Sequence, residues 1–105
     1  MQATAIGGDL VVLHGRLDAR GAGVARDTLH AALAAGSGRL VLDLSGVELL
    51  DATGLGVLVD AHRRAGLAGR ELVLRGTPPR VARLLLVTRL DRVLAFEGAP
   101  QQLSA

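Results

Sequence analysis

The chain has 105 residues, half of them apolar and 21% charged, a size and make-up suited to one domain that buries its own core. It contains no cysteine, which excludes a disulfide scaffold, a thiolate metal site and a cysteine nucleophile, and favours a reducing cytoplasm. The net charge of +2 is unevenly placed: residues 1–61 carry four Arg against seven acids, net −3, and residues 62–105 carry eight Arg against three acids, net +5.

Gln2 to Ile6, then Gly7-Gly8-Asp9, then Leu10 to Arg16 predicts an antiparallel hairpin, because glycine takes the positive φ values that tight hairpin turns require. From Asp18 the period changes. Ala22, Ala25, Leu29, Ala32 and Leu33 recur at helical spacing, with Asp18 as a candidate N-cap and Gly36 as the stop. The nearly continuous apolar run Leu40-Val41-Leu42-Asp43-Leu44 suits a parallel strand covered on both faces, closed by a turn at Ser45-Gly46. Val47 to Leu50 leads into Asp51-Ala52-Thr53-Gly54, where a second helix begins. Leu55, Leu58, Val59 and His62 form its expected inner side and Gly66 its end. Glu71 to Arg75 reads as the next strand, and Pro79 opens a third helix with Val81, Leu84, Leu85 and Thr88 as its stripe. Val93 to Phe96 makes a last short strand, and the Gln-rich tail is expected to fray. The alternation predicts a single α/β domain over residues 1–105, with its core at about 5–97. Its mixed sheet has four to five strands, an antiparallel N-terminal hairpin and three to four helices.

Most site chemistry is absent. His14, His30 and His62 fall on different elements, and none has a second ligand at metal spacing on its own face, so no metal is expected. No Gly-x-Ser-x-Gly elbow occurs. Gly54-Leu55-Gly56 opens a helix as dinucleotide loops do, but Val59 stands where the third glycine would be. Neither a catalytic residue nor a cofactor is therefore expected. The one aromatic residue, Phe96, and the small basic surplus argue against nucleic acid. No apolar stretch approaches the roughly 20 residues of a membrane helix, and Met1-Gln2-Ala3-Thr4-Ala5 lacks the regions of a signal peptide, so a cytoplasmic protein is expected.

What remains is Asp51-Ala52-Thr53-Gly54-Leu55-Gly56. A hydroxyl at the mouth of a helix sits among unpaired amides at the positive end of the dipole, where a phosphate is favourably held. Phosphorylation of Thr53 would add about 1.5 to 2 negative charges. Gly54 and Gly56 carry no side chains that would keep another protein away. The same spacing is met by a plain helix cap, with Asp51 or Thr53 in that role and no covalent chemistry.

Three blocks carry a resemblance: Leu40-Val-Leu-Asp-Leu-Ser-Gly-Val47, Asp51-Ala-Thr-Gly-Leu-Gly56, and Pro79-Arg-Val-Ala-Arg-Leu-Leu85 followed by Leu90-Asp-Arg-Val-Leu94. With His14-Gly-Arg-Leu-Asp18 ahead of them, the chain resembles the STAS domain family over about residues 5–97, most closely its bacterial anti-sigma factor antagonists. The resemblance implies that Thr53 is the phosphoacceptor. The unmodified antagonist would bind a partner of the histidine-kinase-like ATPase class that is both anti-sigma factor and serine/threonine kinase, and so free the sigma factor. A serine/threonine phosphatase would reset it. Asp18, Asp51, Thr53, Gly54, Leu55 and Gly56 are the implied partner-contacting residues. The protein itself would be no enzyme but a kinase substrate, with no cofactor, no membrane insertion, and a monomeric or weakly dimeric state. The resemblance also admits an unphosphorylated scaffold subunit of a lipid-transport ABC system or a stress-signalling complex. Two departures stand out. The family motif often reads Asp-Ser-Ser-Gly, so Ala52 leaves Thr53 as the sole hydroxyl there. Arg89 occupies a position where the family commonly has Gly, and a left-handed turn would cost Arg roughly 1 kcal/mol.

Overall fold

In the computed structural model, which describes residues 1–97, turn chemistry sets the first two strands. Gly7 at φ +61 folds β1 (Gln2–Ile6) back on β2 (Leu10–Leu17), pairing Gln2 with His14 and Ile6 with Leu10. The chain then passes through α1 (Ala22–Ala35) to β3 (Arg39–Leu50) and through α2 (Ala52–Leu67) to β4 (Glu71–Arg75). It continues through α3 (Pro79–Val87) and a 3-10 turn (Leu90–Arg92) to β5 (Ala95–Phe96). The sheet order is β1-β2-β3-β4-β5, with β1 antiparallel and the other strands parallel. The α/β class, the mixed sheet and the N-terminal hairpin are as expected from sequence.

Side-chain alternation builds the core. Leu40, Leu42 and Leu44 of β3 and Leu72 and Leu74 of β4 are buried with Leu29 of α1, Leu58 of α2 and Leu85 of α3. Helices α1 and α2 pack against each other, α1 over β1 and β2, and α2 over β4.

The expected turn at Ser45-Gly46 is a strand instead. β3 runs 12 residues and passes that dipeptide by bulging. Val12 pairs with Asp43 but His14 with Gly46, and Gly15 pairs with Val47 but Arg16 with Leu49, so β3 holds an extra residue at each step. Asp43 Oδ1 accepts the Ser45 amide at 2.9 Å and the Ser45 hydroxyl at 2.6 Å, a local Asx turn inside the strand. Arg75 Nη2 reaches Asp43 Oδ2 at 3.1 Å. Burial raises the Asp43 carboxyl, but the Ser45 hydroxyl and amide and the Arg75 guanidinium outweigh it and hold the group below its ordinary value.

The helices differ from expectation in phase and ends. Gly21, not Asp18, is the N-cap of α1. Gly36 follows α1 in an extended conformation, and Gly38 takes the positive φ. The buried face of α2 is Gly54, Val57, Leu58, Ala61 and Ala65, while Leu55, Val59 and His62 are half-buried. Small side chains let α2 lie close to its neighbours, which a stripe read from bulky residues does not reveal. α2 continues past Gly66 to Leu67, and the left-handed residue beyond it is Gly69 at φ +71. Thr88 is exposed past the end of α3, its hydroxyl donating to the Leu84 carbonyl at 2.8 Å. The last strand shrinks to Ala95–Phe96 because Leu90–Arg92 wind into the 3-10 turn. The tail expected to fray, residues 98–105, lies outside the described residues.

Asp60 of α2 reaches His30 of α1 at 3.5 Å, while Arg64 Nε donates to it at 2.9 Å and Arg63 Nη2 at 3.1 Å. The Arg64 hydrogen bond above all, with those of Arg63 and His30, outweighs desolvation and holds the carboxyl at about 2. A group lowered on folding stabilises above its unfolded value of 3.8 and loses that effect as pH falls through about 2. Asp60→Asn should therefore cost under about 1 kcal/mol at pH 7, since its Arg63 and Arg64 partners are exposed and water screens the pairs. The difference should close towards pH 2 in parallel denaturant titrations.

Candidate functional site

Leu17 and Leu50 end β2 and β3 and pair with each other. Adjacent strands lie about 4.8 Å apart, so Asp18 and Asp51 leave the carboxyl edge of the sheet side by side. In parallel sheets that edge is where the chain turns leave a recess for ligands and partners.

Asp18 folds back on its own chain. Its Oδ1 accepts the Arg20 amide at 3.1 Å and the Gly21 amide at 3.0 Å, and its carbonyl accepts the Ala22 amide at 2.8 Å. The Gly21 amide foremost, then the Arg20 amide and the Arg16 charge, outweigh desolvation and keep this carboxyl below the usual carboxylate range. Asp18 is therefore an anion at neutral pH, fixed one turn ahead of α1.

Asp51 is the N-cap of α2 in an extended conformation, and its Oδ1 accepts the Gly54 amide at 2.9 Å. The capping role left open between Asp51 and Thr53 thus falls to Asp51. Thr53 is the second residue of the helix and is exposed. Its hydroxyl makes no hydrogen bond among the described residues. Ala52 and Thr53 are first-turn residues, whose amides have no acceptor within the helix.

The two glycines differ. A Cβ on Gly54 would collide with the Leu17 carbonyl oxygen and stand 2.7 Å from Leu50 Cδ1, so this glycine seats α2 against the end of β2. Gly56 is exposed, with nothing within 4 Å of an added Cβ. Leu55, half-buried, packs against the edge of the core. Asp18, Asp51, Thr53 and Gly54 therefore converge, Gly56 keeps a bare surface beside them, and Leu55 is mainly a packing residue.

Sequence reasoning missed the cleft beside Asp18. It has a volume of about 570 Å³ and is lined by Arg16, Arg20, Gly21, Val24 and Glu48, with Met1 and Gly15 at one side. Gly15 at φ +98 and the β3 bulge at Glu48 shape it. The outward phase of Arg16 in the strand pattern was the available signal. Among the described residues no group of three His, Cys, Asp or Glu could hold a metal, and no helix is long and apolar enough to cross a membrane.

Several solved structures share this fold. TM1081 of Thermotoga maritima is 24% identical with a TM-score of 0.76, covering 98% of this chain and 90% of that one. The anti-sigma factor antagonist SpoIIAA in its unphosphorylated form is 16% identical with a TM-score of 0.67, covering 98% of this chain and 92% of its own. A serine-to-glutamate variant of RsbS from Moorella thermoacetica is 30% identical with a TM-score of 0.72, covering 96% and 88%. Residues 3–96 match the family model described as "Mlab, STAS domain". With that match spanning nearly the whole chain, and the Asp51 to Gly56 block at its helix mouth, the chain belongs to the STAS domain family.

Proposed function

We propose that this protein is an anti-sigma factor antagonist switched by phosphorylation of Thr53. One observation carries the reading: Thr53 is exposed at the mouth of α2 while Asp51 alone does the capping. The hydroxyl has no structural task there, and the bare backbone at Gly56 admits a partner's cleft. Likeness to SpoIIAA and RsbS supports the same reading.

In the unmodified state the surface around Asp18, Asp51 and Thr53 binds a histidine-kinase-like ATPase that acts as anti-sigma factor and kinase, and the sigma factor is released. In the modifying step the Thr53 oxygen attacks the γ-phosphorus of ATP, its proton passes to a base of the partner, and ADP leaves. This chain supplies only the alcohol; ATP, magnesium and the base belong to the partner. The phosphothreonine places about 1.5 to 2 further negative charges beside two carboxylates, at a contact that must otherwise desolvate. Binding is lost until a serine/threonine phosphatase removes the group.

Isothermal titration with the cognate ATPase tests this. Thr53→Ala should bind as the unmodified protein does, and Thr53→Glu at least tenfold more weakly, about 1.4 kcal/mol. Equal affinities would reject the switch and leave an unphosphorylated scaffold role.

A further inference from the structure

Four of the eight Arg in the basic half of the chain, Arg80, Arg83, Arg89 and Arg92, lie on α3 and the turn that follows it, outside the Thr53 site. In α3 the buried residues are Val81, Ala82 and Leu85. Helical periodicity then sets Arg80, Arg83 and Val87 along the opposite ridge, at i, i+3 and i+7. Arg89, Arg92 and Val93 beyond the helix are exposed too, and Arg89 and Arg92 share a cleft with Leu86 and Val87. Leu86, Val87 and Val93 are 48%, 74% and 49% exposed, an unusual amount of branched apolar surface for so short a stretch. Shallow clefts of about 290 Å³ beside Arg80 and Arg83 and about 280 Å³ lined by Leu86, Val87, Arg89, Arg92 and the half-buried Asp91 flank it, and four guanidinium groups against that one carboxylate leave the surface positive.

Two facts point outward. Arg80, Arg83, Arg89 and Arg92 form no ion pair among the described residues, whereas Arg63, Arg64 and Arg75 each hold a carboxylate. Arg89 is, among the described residues, the non-glycine residue with positive φ, at φ 61 and ψ 18. Glycine would take that conformation without strain. The Arg89 side chain makes no hydrogen bond among the described residues that would repay the strain inside the fold, and retained strain of this kind marks sites that act on something external.

We infer that the ridge Arg80, Arg83, Val87, Arg89, Arg92 and Val93 is a second docking surface, which takes an acidic protein segment carrying apolar side chains. Charge complementarity selects the occupant: guanidinium groups pair carboxylates in bidentate fashion, and the exposed Leu and Val between them need apolar cover. The surface lacks the aromatic residues on which bases stack and the Trp or Phe that anchor interfacial helices. α3 leaves the carboxyl edge and carries the chain back for a parallel β5, about 13 Å along nine residues, so its far end lies away from Thr53. The two surfaces can be engaged together, and this inference does not rest on phosphorylation of Thr53.

The test is a titration of isotope-labelled whole protein with a synthetic peptide of Glu-Glu-Leu repeats, read by amide chemical shifts. Signals of residues 80–93 should move and those of residues 51–56 should not. A Gln-Gln-Leu peptide should bind far more weakly. Arg83→Glu with Arg92→Glu should reduce peptide affinity by about 25-fold, roughly fivefold per exposed pair. Arg89→Gly should reduce it about fivefold while raising the melting temperature, a pair of changes that a purely structural role would not give. Equal binding of the Gln peptide, shifts confined to residues 51–56, or unchanged affinity in Arg89→Gly would overturn the inference. Binding to phosphatidylglycerol vesicles or to duplex DNA in place of the peptide would overturn it as well.

Discussion

Gly54→Ala should destabilise the fold by about 3 kcal/mol or more, since the nearest atom the added methyl meets is a backbone oxygen, which cannot swing away as the Leu50 side chain beside it can. The Leu17 carbonyl oxygen it would strike also accepts the Asp51 amide at 3.5 Å, so α2 cannot retreat without loosening its own cap. For a domain of this size that loss corresponds to at least about 12 °C in melting temperature. Gly56→Ala, one turn position on, should raise stability by about 0.5 to 1 kcal/mol, because its Cβ meets nothing and alanine favours the helix. If Gly56 is bare for a partner's approach, the more stable variant should bind the cognate ATPase more weakly. Thermal unfolding of the two variants separates them: the account fails if both glycines respond alike.

Arg70→Met should cost about 3 to 5 kcal/mol, a large share of the 5 to 15 kcal/mol typical of a domain. Arg70 is 6% exposed, and its guanidinium has carbonyls for partners. Nε donates to Gly38 at 3.0 Å, and Nη1 donates to Ala32 at 2.8 Å and Leu33 at 3.2 Å. Nη2 donates to Gly8 at 2.5 Å. Ala32 and Leu33 lie in the last turn of α1, whose carbonyls lack helical donors and mark the negative end of the dipole. One cation thus fastens the end of α1, the β1–β2 turn and the entry to β3. Methionine matches its length but leaves those oxygens buried without donors. Lysine should restore only part of the loss, because an ammonium cannot span the same fork. Urea unfolding checks this, and a cost below 1 kcal/mol for Arg70→Met would contradict it.

Arg70 was illegible in the sequence because arginine reads as a surface residue, and its partners lie 31 to 62 positions away along the chain. The hairpin and β4 were legible because their signals are local: Gly7 for the turn, and Glu71 to Arg75 between breakers. β3 was misread at Ser45-Gly46, since the same two residues serve a tight turn or a bulge, and only pairing with β2 decides. The face of α2 was misjudged because Gly54, Ala61 and Ala65 bury little area yet set the distance of approach. At the site, the local features were readable: Asp51 three residues before the Gly54 amide, and a hydroxyl just inside the helix. The proximity of Asp18 to Asp51 was not, for it depends on the parallel pairing of Leu17 with Leu50.

Incubation of the protein with ATP, magnesium and its cognate ATPase, followed by tandem mass spectrometry, decides whether Thr53 is the phosphoacceptor. The account predicts a single phosphoryl group on Thr53, its absence in Thr53→Ala, and release of the modified protein from the ATPase. An unmodified Thr53 under conditions in which the ATPase is active, or a phosphoryl group on another residue, would contradict it.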